Sequence, residues 1–274
     1  MSRPPSGVRP PPREVVELRA LAARQPDLSQ AVELHSELVS LVRRVERRLT
    51  TPVTDLPTDL LMTRLAHGVP LAAFGEFPLD WAEIRLLVRQ VTDVLRRLDI
   101  IDAATAERLH ALGREPHLQE KVRDWYEGRA PAAGSAEADP MWSEVLLWSL
   151  RPFLIRNASV LTRKVPLDGW RKGTCPVCGA EPDFAIVGGG AEQTLVCGRC
   201  HAQWPADRGC PFCGNRDMDR LRTLATPDRV YRVIECLECG RYMKAMDPGP
   251  AGRPLMPFYD PVATLPLDAA MMQK

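Results

Sequence analysis

Eight cysteines fall into four Cys-x-x-Cys pairs, Cys175/Cys178, Cys197/Cys200, Cys210/Cys213 and Cys236/Cys239, and the 274-residue chain holds no other cysteine. Two residues between thiols let both sulfurs of a pair face one ion, and two pairs complete a tetrahedral four-thiolate site. The eight thiols are therefore read as ligands of two metal ions. The pairs also recur as a unit: Cys175-Pro-Val-Cys178-Gly is followed by Cys197-Gly-Arg-Cys200, and Cys210-Pro-Phe-Cys213-Gly by Cys236-Leu-Glu-Cys239-Gly. This pattern is that of one small metal module duplicated in tandem.

Sequential pairing leaves 18 residues between Cys178 and Cys197 and 22 between Cys213 and Cys236. Each stretch reads as a hairpin, with 183–187 and 194–196 flanking Gly188-Gly-Gly190, and 221–224 and 230–234 flanking Thr226-Pro-Asp228. Such hairpins would bring their flanking cysteine pairs together. A cross-brace, joining first to third and second to fourth pairs, is the alternative that spacing leaves open. Disulfides are the weaker reading, because the chain opens on a Pro- and Arg-rich stretch without an apolar signal segment, and the expected location is the reducing cytoplasm. A thioredoxin-like centre would need one such pair at the start of a helix, not four.

The remaining residues suggest no catalytic constellation. His35, His67, His110 and His117 are scattered over helical patterns, and His201 follows a pair that already has its thiols. Gly188-Gly-Gly190 precedes a strand pattern rather than a helix, so it reads as a hairpin turn and not a phosphate loop. The chain is expected not to be an enzyme. Between Asp168 and Lys274 the 13 Arg and Lys balance 13 Asp and Glu, and eight thiolates on two divalent ions tip this region negative. A nucleic-acid-binding ribbon needs a basic surface, so no nucleic-acid partner is expected. No apolar run approaches the ~18 residues of a membrane span, so no membrane insertion is expected either.

The elements that must position the cysteines divide unequally. Helical periodicity runs through 13–24, from Asp27 or Ser29 to Leu49, and through 58–67, 80–98, 103–112, 116–127 and 141–164. The last of these carries Trp142, Trp148 and Phe153 and is interrupted by Pro152, which predicts a kink. The fold class is α+β: a helical N-terminal domain followed by two tandem rubredoxin-like or zinc-ribbon modules. The boundaries are a flexible Pro-rich arm at 1–12, the helical domain at 13–167, ribbons at 168–206 and 207–247, and a Pro-rich C-terminal tail at 248–274.

Taken together, a helical domain, a Trp-rich helix with Arg151-Pro-Phe-Leu154, and the segments Cys175-Pro-Val-Cys178-Gly-Ala-Glu-Pro, Cys197-Gly-Arg-Cys200-His-Ala-Gln-Trp204, Cys210-Pro-Phe-Cys213-Gly and Cys236-Leu-Glu-Cys239-Gly-Arg-Tyr242 resemble the formate dehydrogenase accessory protein family, FdhE. The resemblance implies a cytoplasmic maturation factor that binds the catalytic subunit of formate dehydrogenase and is needed for its activity. It also implies rubredoxin-like iron, whereas closed four-cysteine sites by chemistry alone are mostly structural zinc. Two ions, Fe or Zn, are thus the expected cofactors, and a homodimer is left open. A zinc-ribbon protein binding nucleic acid or protein, and a free-standing redox protein, are the alternatives. The expected partner surfaces are the 141–164 segment and the ribbon tips beside Arg199, Trp204, Glu238 and Tyr242.

Overall fold

The computed structural model describes residues 10–50, 53–132, 135–190 and 192–273, so most of the 1–12 arm lies outside the described residues. The helical half comprises α1 (Arg13–Arg24), α2 (Ser29–Arg48), α3 (Thr58–Ala66), α4 (Trp81–Arg97), α5 (Ala103–Arg114), α6 (Leu118–Tyr126) and α7 (Pro140–Lys164). Aspartates set three of the starts. Asp80 accepts from the Ala82 and Glu83 amides, each at 3.0 Å, Asp102 from Thr105 at 2.7 Å, and Asp139 from Met141 at 2.9 Å. Each satisfies amides that the first helical turn cannot pair internally.

Helix α7 is the axis of this half, packing on both α2 and α4. Trp142, Leu146, Leu150, Phe153, Leu154 and Leu161 are all buried along it. It runs as one helix of 25 residues through Pro152, whose ring nitrogen cannot donate to the Trp148 carbonyl one turn back. Burial of Arg151, Pro152 and Phe153 together holds the helix continuous there.

After α7 the chain forms one six-stranded mixed sheet from β1 (Pro182–Val187), β2 (Glu192–Cys197), β3 (Gln203–Asp207), β4 (Leu221–Ala225), β5 (Tyr231–Cys236) and β6 (Tyr242–Met246), in the order β3-β2-β1-β6-β5-β4. The duplication is visible in the register: Pro182 at the start of β1 faces Cys197, and Leu221 at the start of β4 faces Cys236. Each module is thus a three-stranded antiparallel unit, and the two join where β1 lies parallel to β6. Both expected hairpins form. The third strands, β3 and β6, were not anticipated, and they complete the sheet.

Helices and sheet are not separate cores. One buried cluster runs from Leu154 and Leu161 through Trp170, Cys175, Cys197 and Trp204 to Ala245 and Phe258. The C-terminal segment, expected as a loop-rich tail, holds α8 (Pro248–Ala251), α9 (Asp260–Ala263) and α10 (Leu265–Met272). Its proline-broken helices are too short to show helical periodicity, yet they are pinned by buried contacts. Asp260 pairs with Arg253 at 2.6 Å and accepts from the Tyr231 hydroxyl at 2.6 Å; Asp268 accepts from Lys244 at 2.6 Å and from Tyr242 at 2.9 Å. Phe258, only 2% exposed, stacks on Trp148 of α7 with centroids 5.9 Å apart and meets His201 edge-on at 4.6 Å.

Because Phe258 touches both the central helix and the second cysteine knuckle, Phe258→Ala should destabilise the whole chain rather than loosen a tail. The expected loss is about 3–5 kcal/mol, the usual cost of emptying a buried Phe site. Urea unfolding followed at far-ultraviolet and tryptophan signals should show it as one transition. An unchanged midpoint would mean that the tail is not part of the core.

Candidate metal centres

Four turns of the same kind present the sulfurs. In each, the first cysteine's amide donates to the carbonyl five residues on: Cys175 to Ala180 at 2.7 Å, Cys197 to Ala202 at 2.9 Å, Cys210 to Asn215 at 2.8 Å and Cys236 to Arg241 at 2.9 Å. In each, the residue four positions on returns its amide to that cysteine's carbonyl, and it has left-handed backbone, with φ of 75° at Gly179, 58° at His201, 76° at Gly214 and 72° at Gly240. This is why glycine follows the second cysteine of three pairs: left-handed backbone costs glycine almost nothing. Amides also point at sulfur, with Val177 donating to Cys175 Sγ at 3.4 Å and Arg199 and Cys200 to Cys197 Sγ at 3.4 and 3.5 Å.

The knuckles meet sequentially. Cys175, Cys178, Cys197 and Cys200 form one group and Cys210, Cys213, Cys236 and Cys239 the other, with the sulfurs of each group within 4.8 Å of one another. Cys175 lies 3.6 Å from Cys200 and Cys178 3.5 Å from Cys197, while Cys210 lies 3.6 Å from Cys239 and Cys213 3.7 Å from Cys236. A tetrahedral ion with bonds of ~2.3 Å to sulfur needs its sulfurs about 3.8 Å apart. Each group fits one ion, and the antiparallel β1–β2 and β4–β5 pairs exclude the cross-brace. No histidine or carboxylate joins either group among the described residues.

The surroundings of the two clusters differ. All four cysteines of the first are buried, and the helical half holds both of its knuckles. Leu71 and Ala72, between α3 and α4, donate amides to the Pro176 and Val177 carbonyls at 2.7 and 3.2 Å. Arg151 of α7 donates to the Gly198 carbonyl at 2.9 Å, and Arg199 donates to the Tyr126 carbonyl of α6 at 2.8 Å, its guanidinium 4.5 Å from the Trp125 ring. Burial holds the Cys175 and Cys200 thiols well above their ordinary range. Four sulfurs ionise together here only around a cation.

In the second cluster Cys213 and Cys239 are exposed and only Cys210 and Cys236 are buried. Burial pushes the Cys210 thiol up to about 12. Cys236 is also opposed by burial, yet the amides of Cys239 and Glu238 bring it down to about 6. The cluster is braced from one side: Arg241 lies 3.6 Å from the Phe212 ring and pairs with Glu181 at 2.6 Å. Gly173 admits the Pro211 carbonyl, which would come within 1.9 Å of any Cβ there.

Beside the first cluster, Asp183 is open to a cavity at its side chain, but the enclosing protein pushes its carboxyl up to about 6 against the pull of Arg151. His201 is held down to about 3 by burial and by Arg151. Of the residues expected at ribbon tips, Trp204 is fully buried and Arg199 is committed to α6, because the helical half covers the first module. Tyr242 is half-buried on Asp268, and Glu238 alone is exposed.

A "Protein FdhE homolog" from Haemophilus ducreyi is 25% identical to the chain over 279 residues, covering 96% of this chain and 84% of that protein. The crystal structure of the FdhE protein from Pseudomonas aeruginosa superposes with a TM-score of 0.63 at 21% identity, over 95% of this chain and 90% of that one, which establishes the shared fold. The resemblance to the FdhE family is borne out. No protein-family model matches the chain. The FdhE likeness spans the helical half as well as the cysteine modules, so the helices around the first cluster are part of the common architecture.

The difference in burial predicts two rates of metal release. With an excess of a coloured chelator under reducing conditions, half the metal should leave fast and half slowly. Cys213→Ser with Cys239→Ser should abolish the fast phase, and Cys197→Ser with Cys200→Ser the slow one, each halving the metal content. A single phase in the unaltered chain would contradict the assignment.

Proposed function

We propose that the chain is a cytoplasmic accessory factor for a formate dehydrogenase: it binds the catalytic subunit, is needed for that enzyme to become active, and turns over no substrate itself. The observation that carries this is the FdhE likeness over almost the whole chain, joined to two four-cysteine groups at metal-binding spacing. All eight cysteines act as ligands in this reading, one ion per group.

The first cluster ties α6, α7 and both knuckles of one module into a single core, which suits a structural centre. Its partner, with two exposed sulfurs, suits an ion that meets another protein or gives and takes an electron. We assign iron to at least one centre on the FdhE resemblance and the iron-compatible four-thiolate ligand set; such a site is redox-active where zinc is not. Two features support docking on the outer module. Its tips carry exposed Met218 and Leu237, at 54% and 44%, and its outermost strand β4 is a sheet edge with Leu224 exposed. Large apolar side chains grouped at an open edge are the surface that a polypeptide partner covers.

Deleting the gene should abolish formate oxidation without lowering the amount of catalytic subunit, and a copy with all eight cysteines changed to Ser should not restore it. The catalytic subunit should co-purify with the tagged chain. Normal formate oxidation in the deletion strain, with no co-purification, would overturn the reading. Protein made without added zinc should absorb visible light as a ferric thiolate does. A colourless chain with two zinc ions and no iron would leave both centres structural.

A further inference from the structure

A cavity of about 710 Å³ opens between α6, the first half of α7, both knuckles of the first cluster and the turn at Pro257–Pro261. Trp125, Trp148 and Phe258 supply apolar walls, and Arg151, Glu144 and Asp183 supply charge. Arg151 is 8% exposed, with its guanidinium 4.2 Å from the Trp148 ring and one terminal nitrogen on the Gly198 carbonyl. Its Nε is buried without a hydrogen-bond partner. A buried donor left unpaired costs about 1–3 kcal/mol, and a small turn of the guanidinium that presents Nε to an acceptor in the cavity recovers part of it.

The carboxylates of the cavity fall into two kinds. Glu127 and Glu181 are spent on Arg129 and Arg241. Glu144 and Asp183 make no ion pair among the described residues, and both lie close enough to Arg151 to act on its charge. The other cavity cation, Arg199, is fixed on Trp125 and on the Tyr126 carbonyl. A four-thiolate cluster around a divalent ion keeps a double negative charge and sits just behind the wall. Arg151 and Arg199, bonded to neutral carbonyls, offset Glu144 and Asp183, so the charge of the metal-loaded cluster tips the field toward a cation, and the same wall holds one buried donor.

Few ligands answer both demands. An anion meets two unpaired carboxylates and the cluster, while Arg151 and Arg199 already donate to backbone carbonyls. A free metal cation finds no grouped oxygen ligands among the described residues, and a polyamine brings no acceptor for Arg151. A lysine or arginine within a polypeptide brings a cation on an apolar stem and a backbone carbonyl beside it. We propose that this cavity receives a basic side chain of a polypeptide partner, its cation taken by Asp183 and Glu144 and a neighbouring carbonyl by Arg151. Only the identity of that polypeptide, the formate dehydrogenase catalytic subunit, rests on the proposed function.

The test uses the metal-loaded full chain and overlapping peptides spanning that subunit, with binding read by calorimetry and tryptophan fluorescence. Peptides that bind should contain Lys or Arg, and replacing that residue by norleucine should abolish binding. Asp183→Asn with Glu144→Gln should weaken binding by about tenfold or more, as loss of a desolvated charge pair does. Metal content and circular dichroism of the double variant should match the unaltered chain, which separates lost recognition from lost fold. Binding peptides without a basic residue, or unchanged affinity in the double variant, would overturn the inference. Co-purification of the intact subunit distinguishes the two readings: equal recovery on both chains refutes the cavity and keeps the function, and no recovery on the unaltered chain refutes the function.

Discussion

Four buried thiolates within 4.8 Å of one another repel, and among the described residues no cation pairs with the sulfurs of the first cluster. An ion at their centre turns that repulsion into the strongest local constraint in the chain, with binding free energy that is also folding free energy. Everything around the site is arranged on it. The knuckles fix the ends of β1 and β2, and Arg151 and Arg199 tie the Cys197–Cys200 knuckle to α7 and α6. Leu71 and Ala72 close the remaining side. The helical half therefore folds against a surface whose shape the ion sets, so metal loss there propagates into helices that hold no ligand. Independent melting of helices and ribbons, the natural expectation for two domains of unlike composition, does not suit one continuous buried cluster.

Duplication made two centres from one design, and packing made them different. The amide turns and the positions of the left-handed residues are the same in both modules, and in each the first strand starts opposite a cysteine, but the register of β1 on β2 shifts between Pro182 and Phe184 whereas that of β4 on β5 is unbroken. What differs is where the sheet meets the helices. Strand β3, at one edge, buries Trp204 and carries Pro205, which has no amide to offer a further strand. Strand β4, at the other edge, is exposed along most of its length. One edge carries a proline and the other does not, so a strand that a partner adds to the sheet pairs on the second module. The same asymmetry buries one cluster and leaves two sulfurs of the other accessible.

How much of this was legible in the sequence follows from the range of each signal. Helices α1 to α7 were readable because long amphipathic periodicity and Asp or Pro starts are local facts; α1 matches its expected bounds, and α7 begins one residue earlier, at Pro140. The cysteine groups were readable because ligand spacing is local too. Strands β3 and β6 were missed: Gln203–Asp207 holds a proline, and Tyr242–Met246 follows a cysteine turn with no break in composition. The joining of β1 to β6 spans about sixty residues and leaves no local mark. Pro248 to Met272 looked like a tail because prolines cut it into pieces shorter than any period, although its anchors, Phe258, Asp260 and Asp268, are buried or bonded to distant elements. The cavity polar groups, Arg151 and Asp183, gave no sequence signal, since they come together only when α7 lies across the knuckles.

His201 shows how fold and site constrain each other at one residue. At the same position in the other three knuckles stands glycine, which left-handed backbone favours by roughly 1–2 kcal/mol over other residues. Histidine bears that cost in the second knuckle, and its ring lies edge-on to Phe258 at 4.6 Å, with burial keeping it neutral. A glycine there would relax the turn but leave Phe258 without its neighbour. The C-terminal turn would then lose its contact with the knuckle, and with it one wall of the cavity beside the first cluster. The strained residue sits at the one knuckle that must hold both the ion and the tail, while the glycine knuckles of the outer module keep their tips clear of the core.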